Sequence, residues 1–98
     1  MSQAIYKVFM AKYTEAWYQL SAEQQQVQNN KVNEALKKVG GERVLFCVLP
    51  GGQPWIGWGV EKFPDMEAVQ NHTMMLIQID HMRYLVSEEY LGTEIPRV

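Results

Sequence analysis

The chain has 98 residues, of which 47% are apolar, 11% aromatic and 20% charged, and its formal net charge is −2. This length predicts one domain over residues 1–98, and the composition is typical of a folded globular protein rather than a disordered one. Because Lys and Arg are few and unclustered, we expect neither nucleic acid nor an anionic membrane as a partner.

The cysteine count and the start of the chain bear on the cellular compartment. Cys47 is the single cysteine, so it cannot form an internal disulfide, and its apolar neighbours predict a packing role. The first residues lack the basic and long apolar regions of a signal peptide. No apolar run approaches the roughly 20 residues that span a bilayer. We therefore expect a cytoplasmic protein.

The first part of the chain predicts a strand followed by a short connection. Imperfect alternation indicates a strand over Ala4–Tyr13, with aromatic residues on both of its faces. The segment Thr14–Leu20 is too long for a hairpin turn, so it predicts a loop or one short helical turn. Trp17 and Tyr18 are expected to be exposed there.

A helix is predicted next. Ser21 and Gln24 have the spacing of a capping box, in which each side chain bonds the backbone amide of the other residue. The helix should cover about Ala22–Val39, since Gly40 and Gly41 stop it. Its apolar stripe is narrow and its Gln and Asn side chains are expected to face water.

Two strands joined by a turn are predicted in the middle of the chain. The unbroken apolar run Val44–Leu49 predicts a central strand buried on both faces. Trp55–Lys62 predicts the second strand, with Gly57 and Gly59 on its less bulky face. Two glycines at alternate positions indicate a bend, a bulge or the close approach of a ligand or another chain.

The last part of the chain predicts a second helix and a final strand. Phe63–Glu67 opens the helix with a proline and acidic residues, and the helical spacing continues to about Met82 over a wide apolar arc. Glu88–Ile95 predicts a short edge or partner-facing strand.

The element order is therefore β-α-β-β-α-β. This order predicts a ferredoxin-like α+β fold, in which a four-stranded antiparallel sheet carries both helices on one face. The other face would expose aromatic and apolar side chains to water. We therefore expect it to pair with a second copy of the chain, giving a homodimer whose two sheets form a barrel.

At the level of topology, nearly the whole chain resembles the dimeric α+β barrel superfamily. Ala16–Gln24 is similar to the segment after the first strand in darcynin-like and related uncharacterised small proteins, and Phe63–Ala68 is similar to the opening of the second helix in many of these barrels. Relatives include cofactor-independent monooxygenases, muconolactone-type isomerases, haem-binding degraders and dehalogenases. The resemblance thus implies a fold more than an activity.

The candidate catalytic residues are His72, Arg83 and Tyr6, in acid-base or orienting roles at a pocket inside the barrel. A half-buried, hydrogen-bonded role for His72 and helix capping by Arg83 are the alternatives. The candidate substrate-binding residues are aromatic or lie at the barrel mouth: Trp58, Tyr90, Trp17 and His81.

The two histidines are nine residues apart on the second predicted helix. In a straight helix they would point in opposite directions, so a metal site formed by His72 and His81 is disfavoured. The leading hypothesis needs no cofactor or metal.

Three functions follow from these patterns. The first is binding of a small hydrophobic or aromatic molecule in the barrel by a cofactor-independent monooxygenase- or isomerase-like enzyme. The second is a non-catalytic ligand- or haem-binding or sensing module, with His72 as a candidate haem ligand. The third is a purely structural dimer whose barrel is filled by side chains.

Overall fold

The computed structural model describes residues 3–51 and 54–96 of the chain. Four strands and four helices succeed one another along it. In chain order they are β1 (Ile5–Tyr13), α1 (Glu15–Tyr18), α2 (Ala22–Lys38), β2 (Glu42–Val48), β3 (Gly57–Phe63), α3 (Met66–Gln78), α4 (His81–Tyr84) and β4 (Leu85–Gly92).

The strands form one antiparallel sheet in the order β2-β3-β1-β4. The two strands nearest in sequence, β2 and β3, are paired, and β1 lies between β3 and β4. The helices lie on one side of this sheet. The predicted ferredoxin-like α+β fold is therefore confirmed.

Local signals place the starts of the two long helices as expected. The Ser21 hydroxyl accepts a hydrogen bond from the Gln24 amide at 3.1 Å, and the Gln24 side chain accepts one from the Ser21 amide at 2.9 Å. Asp65 caps α3 by accepting from the Ala68 amide at 2.8 Å. Side-chain oxygens thus satisfy amides that the first helical turn leaves unpaired.

The small apolar core occupies one end of the space between the sheet and the helices. Phe63, at the end of β3, is fully buried against Leu36 of α2 and against Ala68 and Val69 of α3. Ile5 packs on this cluster from β1. Since the apolar contacts concentrate at this end, the opposite end of the same space is left to polar and aromatic side chains.

The prediction of a doubly buried central strand at Val44–Leu49 is wrong. The strand β2 lies at an edge of the sheet, and Val44, Leu45, Phe46 and Val48 are all exposed in the single chain. An unbroken apolar run does not distinguish a central strand from an edge strand that has apolar side chains on both of its faces.

The second predicted helix ends earlier than expected. The helix α3 stops at Gln78, and Asp80 has a φ of 61°, a left-handed conformation that an α-helix does not continue through. The separate turn α4 follows. The last strand accordingly begins at Leu85 and ends at Gly92, rather than running from Glu88 to Ile95.

The face of the sheet turned away from the helices is apolar and uncovered in the single chain. We call it the open sheet face. Because strand side chains alternate, it contains the residues between those that face the helices. Its apolar members are Tyr6, Val8, Met10, Leu45, Cys47, Trp58, Val60, Val86 and Tyr90, and the charged residues Lys12, Lys62 and Glu88 lie on the same face. Val8 is 41% exposed and Tyr90 57% exposed.

Among residues 3–51 and 54–96, none of the helices combines the length and the apolar character needed to cross a bilayer.

Candidate functional site

A cavity of about 360 Å³ lies between the sheet and the helices, at the end away from the apolar core. The inward side chains of β1 form much of its base, and α2, α3 and α4 contribute its other walls. The cavity is on the opposite side of the sheet from the barrel interior that the sequence predicted. Its walls divide into an aromatic floor, an aromatic end and a polar wall.

Two phenylalanine rings form the floor. Phe9 of β1 and Phe46 of β2 stack with ring centroids 5.9 Å apart across the intervening strand β3. A Cβ atom at Gly59 would lie 2.7 Å from the Phe9 ring, and one at Gly57 would lie 2.9 Å from the Phe46 ring. The alternating glycines therefore let these rings lie against the backbone of β3. In the sequence, the two glycines indicated that another group approaches this strand closely. In the structure, that group is the chain's own phenylalanine side chains.

Trp17 forms the aromatic end of the cavity. Its ring stacks on Tyr13 at 4.4 Å and meets Tyr84 edge-on at 6.3 Å. The prediction that Trp17 is exposed is wrong, since the side chain is buried, whereas Tyr18 is exposed as expected. The short helix α1 turns Trp17 inward, and Gln25 of α2 donates a hydrogen bond to the Trp17 carbonyl at 3.2 Å.

The polar wall contains three buried titratable side chains. Lys7, Glu61 and His72 are only 3%, 6% and 2% exposed. The Lys7 ammonium nitrogen lies 3.5 Å from His72 Nδ1, which is long for a hydrogen bond. Glu61 is the cross-strand partner of Lys7, but its carboxylate lies 3.7 Å from the guanidinium of Arg43. The other ring nitrogen of His72, Nε2, is buried without a hydrogen-bond partner in the described part of the chain.

Burial decides the charge states in this wall. Loss of solvent, together with the nearby Lys7 cation, lowers the pKa of His72 to about 4, so the imidazole is neutral at pH 7. Burial raises the pKa of Glu61, although Lys7 and Arg43 act in the opposite direction. Burial also lowers the pKa of His81, against the attraction of Glu89.

Three of the residues predicted from the sequence meet at the cavity: His72, His81 and Trp17. The two histidines share it because the chain breaks at Asp80, so the expectation that they point in opposite directions, which assumed a straight helix to Met82, does not apply. Within the described ranges, no three His, Cys, Asp or Glu side chains converge on a possible metal position.

The other predicted site residues lie elsewhere. Tyr6, Trp58 and Tyr90 belong to the open sheet face, with the sheet between them and the cavity. Arg83 is exposed and lies 3.6 Å from Asp80 in a surface ion pair. The structure therefore does not bring Tyr6 or Arg83 together with His72.

Sequence reasoning missed the two charged residues of the polar wall. Lys7 was not among the predicted site residues, yet it shares a face with Phe9 and Ala11 and is buried. Glu61 shares a face with the two glycines of β3. The alternation that placed both residues on these faces was visible in the sequence, but nothing in it indicated that the helices would leave a cavity above them.

His72 does not fit the haem-binding alternative. An axial ligand needs a ring nitrogen open to the bound group, but Nδ1 faces the Lys7 ammonium and Nε2 is enclosed by protein atoms. A cation beside the ring also opposes metal binding at Nδ1.

The fold and the cavity together define a class: a ferredoxin-like α+β domain with an apolar open sheet face on one side and a partly enclosed polar and aromatic cavity on the other. No protein-family model matches the chain, and no curated protein matches it. Solved structures do match it over nearly its full length.

Three of these structures illustrate the similarity. A protein of unknown function from Rhodopseudomonas palustris has a TM-score of 0.72 at 12% identity, with 99% of this chain and 86% of that chain covered. A Dabb family protein with a ferredoxin-like fold from Mesorhizobium loti has a TM-score of 0.55 at 7% identity, covering 97% of this chain and 100% of that one. A dimeric protein of unknown function with a ferredoxin-like fold from Bacteroides fragilis has a TM-score of 0.50 at 12% identity, covering 93% and 96%. The resemblance predicted from the sequence is thus confirmed at the level of the fold.

Proposed function

We propose that this protein binds a small, flat, ring-bearing molecule in the cavity between the sheet and the helices. One observation carries the proposal: stacked aromatic rings and buried titratable groups surround the same cavity of about 360 Å³. Small-molecule sites have this size and composition, with apolar walls for contact area and a few polar groups for orientation. Because the cavity is not filled by side chains, a ligand-binding role is favoured over a purely structural one.

Each wall has a distinct role in this proposal. The Phe9 and Phe46 rings contact the flat face of the ligand, and Trp17 with Tyr13 limits its length. Lys7, within the polar wall, binds a polar group of the ligand.

A matched pair of substitutions at neighbouring residues tests whether the ligand binds in this cavity. Ser87 lines the cavity, whereas Glu88 follows it on β4 and faces the other side of the sheet. Since both residues are exposed, a larger side chain is tolerated at either position. We expect Ser87→Phe to weaken the binding of 2-naphthamide about tenfold by filling the cavity, and Glu88→Phe to leave it within about twofold.

Isothermal titration calorimetry of the wild type and the two variants measures this difference. Equal weakening by both substitutions, or weakening by Glu88→Phe alone, would place the ligand in the barrel instead. Failure of the wild type to bind any ring probe would remove the proposal.

Acid-base catalysis is a second candidate function, and the state of Glu61 favours it. A buried carboxyl group with a raised pKa, lining a cavity, is the kind of group that can accept a substrate proton and return it. Of the two enzyme classes expected, isomerase-type proton transfer is the one for which the polar wall supplies such a group, namely Glu61. Monooxygenase-like activity and a cytoplasmic location stay predictions.

Proton transfer is testable without knowledge of the natural substrate. In D₂O, the protein should speed the exchange of the α-hydrogens of 2-indanone, a flat and enolisable ketone, and Glu61→Gln should reduce the enhancement about a hundredfold. Proton NMR follows the loss of the signal. Binding of the ketone without faster exchange would leave the protein as a binding module.

We also propose that two copies pair through the open sheet face. Val8, Leu45 and Tyr90 are exposed there in the single chain, and a sheet face with several exposed large apolar side chains is typical of an interaction surface. The Bacteroides fragilis protein with the same fold is described as dimeric. This pairing leaves the cavity free, because the cavity lies on the other side of the sheet.

A further inference from the structure

Lys7 is a buried cation without a carboxylate in contact with it. It is 3% exposed, and within the described ranges no carboxylate oxygen lies within 4.0 Å of its ammonium nitrogen. Its nearest polar contact is His72 Nδ1 at 3.5 Å, and the Phe63 ring centroid is 5.2 Å away. A neutral imidazole and an aromatic ring compensate only partly for the lost hydration of an ammonium group.

Glu61 does not neutralise this cation by direct contact. It lies opposite Lys7 in the strand pairing, yet its carboxylate is nearer the guanidinium of Arg43, at 3.7 Å. Glu89, the other carboxylate of the cavity, is on the exposed strand β4 and interacts with the hydroxyl of Ser87 at 3.2 Å. The cavity lining therefore contains the cations Lys7 and Arg43 and the carboxylates Glu61 and Glu89, and neither carboxylate is in contact with Lys7.

A buried charge is costly unless a group of opposite charge reaches it. Lys7 borders the cavity, so a molecule in that space can supply such a group. A buried cation that borders a cavity and has no carboxylate of the described residues in contact with it indicates that part of this site is supplied by the ligand.

We propose that the molecule bound in the cavity carries one anionic oxygen group, of the carboxylate class, attached to its flat ring, and that Lys7 binds this group. The inference rests on the proposed function and specifies its ligand. The aromatic floor holds the ring, and Lys7 distinguishes an anion from a neutral molecule of the same shape.

The test compares two probes that share one ring system. 2-Naphthoate is anionic at pH 7, and 2-naphthamide is its neutral isostere. We expect the wild-type protein to bind the naphthoate about tenfold more tightly than the amide at low salt, because only the anion neutralises Lys7. This comparison needs no variant and is measured by calorimetry.

Two lysine substitutions locate the effect. Lys7→Met should reduce the preference for naphthoate to about twofold or less, while Lys12→Met, on the open side of β1, should leave it unchanged. Equal wild-type affinity for the two probes would overturn the anion assignment and leave the ring-binding function standing. A preference that survives in Lys7→Met would overturn the role of Lys7, and binding of neither probe would remove both proposals.

Discussion

At the residue scale, burial rather than residue type decides what the cavity groups do. Lys7, Glu61 and His72 would all be charged or titrate near neutrality in water, but here each is almost fully enclosed. His72 loses its positive form at neutral pH, and the pKa of Glu61 is raised. The wall therefore combines a neutral imidazole, a cation and a carboxyl group that protonates more readily than usual, an arrangement suited to orienting a ligand and exchanging a proton with it.

The buried His72 also makes stability depend on pH. Its pKa is about 4 in the folded protein and about 6.5 in the unfolded chain, so the unfolded state binds more protons between these values. The free energy of unfolding should therefore fall as the pH is lowered through this window, by about 2 kcal/mol between pH 7 and pH 5. His81 contributes in the same direction, whereas Glu61, with its raised pKa, contributes in the opposite one.

Urea unfolding of the wild type and of His72→Gln, at pH 7 and pH 5 and at one protein concentration, measures this effect. The variant lacks the titrating imidazole, so its loss of stability on acidification should be smaller by about that amount. If both proteins lose the same free energy, His72 is not held neutral in the folded state.

At the scale of elements, two interruptions of regular structure build the cavity. The glycines of β3 let Phe9 and Phe46 lie against the sheet and make the floor flat. The left-handed Asp80 ends the helical path and starts α4, which brings His81 and Tyr84 to the cavity. Each interruption replaces a regular repeat that would have filled the space or directed a side chain away from it.

The turn α4 is held from both sides. Gln28 of α2, itself buried, donates a hydrogen bond to the Ile79 carbonyl at 2.9 Å, just before Asp80. Thr14 donates from its hydroxyl to the Arg83 carbonyl at 2.6 Å and from its amide to the Tyr84 carbonyl at 3.0 Å. These bonds satisfy carbonyl groups that the short turn cannot pair internally, and so they fix where α4 sits. The sequence predicted that Gln28 faces water. This prediction is wrong, because the side chain is buried and bonds the Ile79 carbonyl.

At the scale of the whole molecule, the sheet separates two surfaces with different roles. The helix side holds the core and the cavity, while none of the described helices covers the open sheet face. Pairing through that face would bury apolar area without touching the ligand site. Ligand binding and assembly are therefore expected to respond to different substitutions.

A single charged residue on the open sheet face tests the pairing. Val8 lies between Val60 and Tyr90 in the strand register, so Val8→Glu should bury an unpaired carboxylate in a dimer and shift the protein towards monomer. Light scattering coupled to size-exclusion chromatography should give the mass of two 11.4 kDa chains for the wild type and of one chain for the variant.

Met74→Glu, at an exposed position on α3, is the matched control and should leave the mass unchanged. A wild type that is monomeric at high micromolar concentration would contradict the pairing, although the cavity on the other side of the sheet would be unaffected.

The sequence by itself determined the element order, the helix caps and the split of β1 into two faces, because capping boxes, turn residues and side-chain alternation act over a few neighbouring residues. From that order the ferredoxin-like fold followed. The Ser21 cap and the short turn after β1 are two such local features, and both were predicted at the correct positions.

Only the tertiary structure decided which face of the sheet holds the cavity, that β2 is an edge strand, and that Lys7, Glu61 and Trp17 are buried. These properties depend on how closely α2 and α3 approach the sheet along its length, and on the break at Asp80. Burial in turn keeps His72 neutral and leaves Lys7 without a contacting carboxylate among the described residues, because the free energy of a charge depends on the atoms that surround it in space and not on its neighbours along the chain.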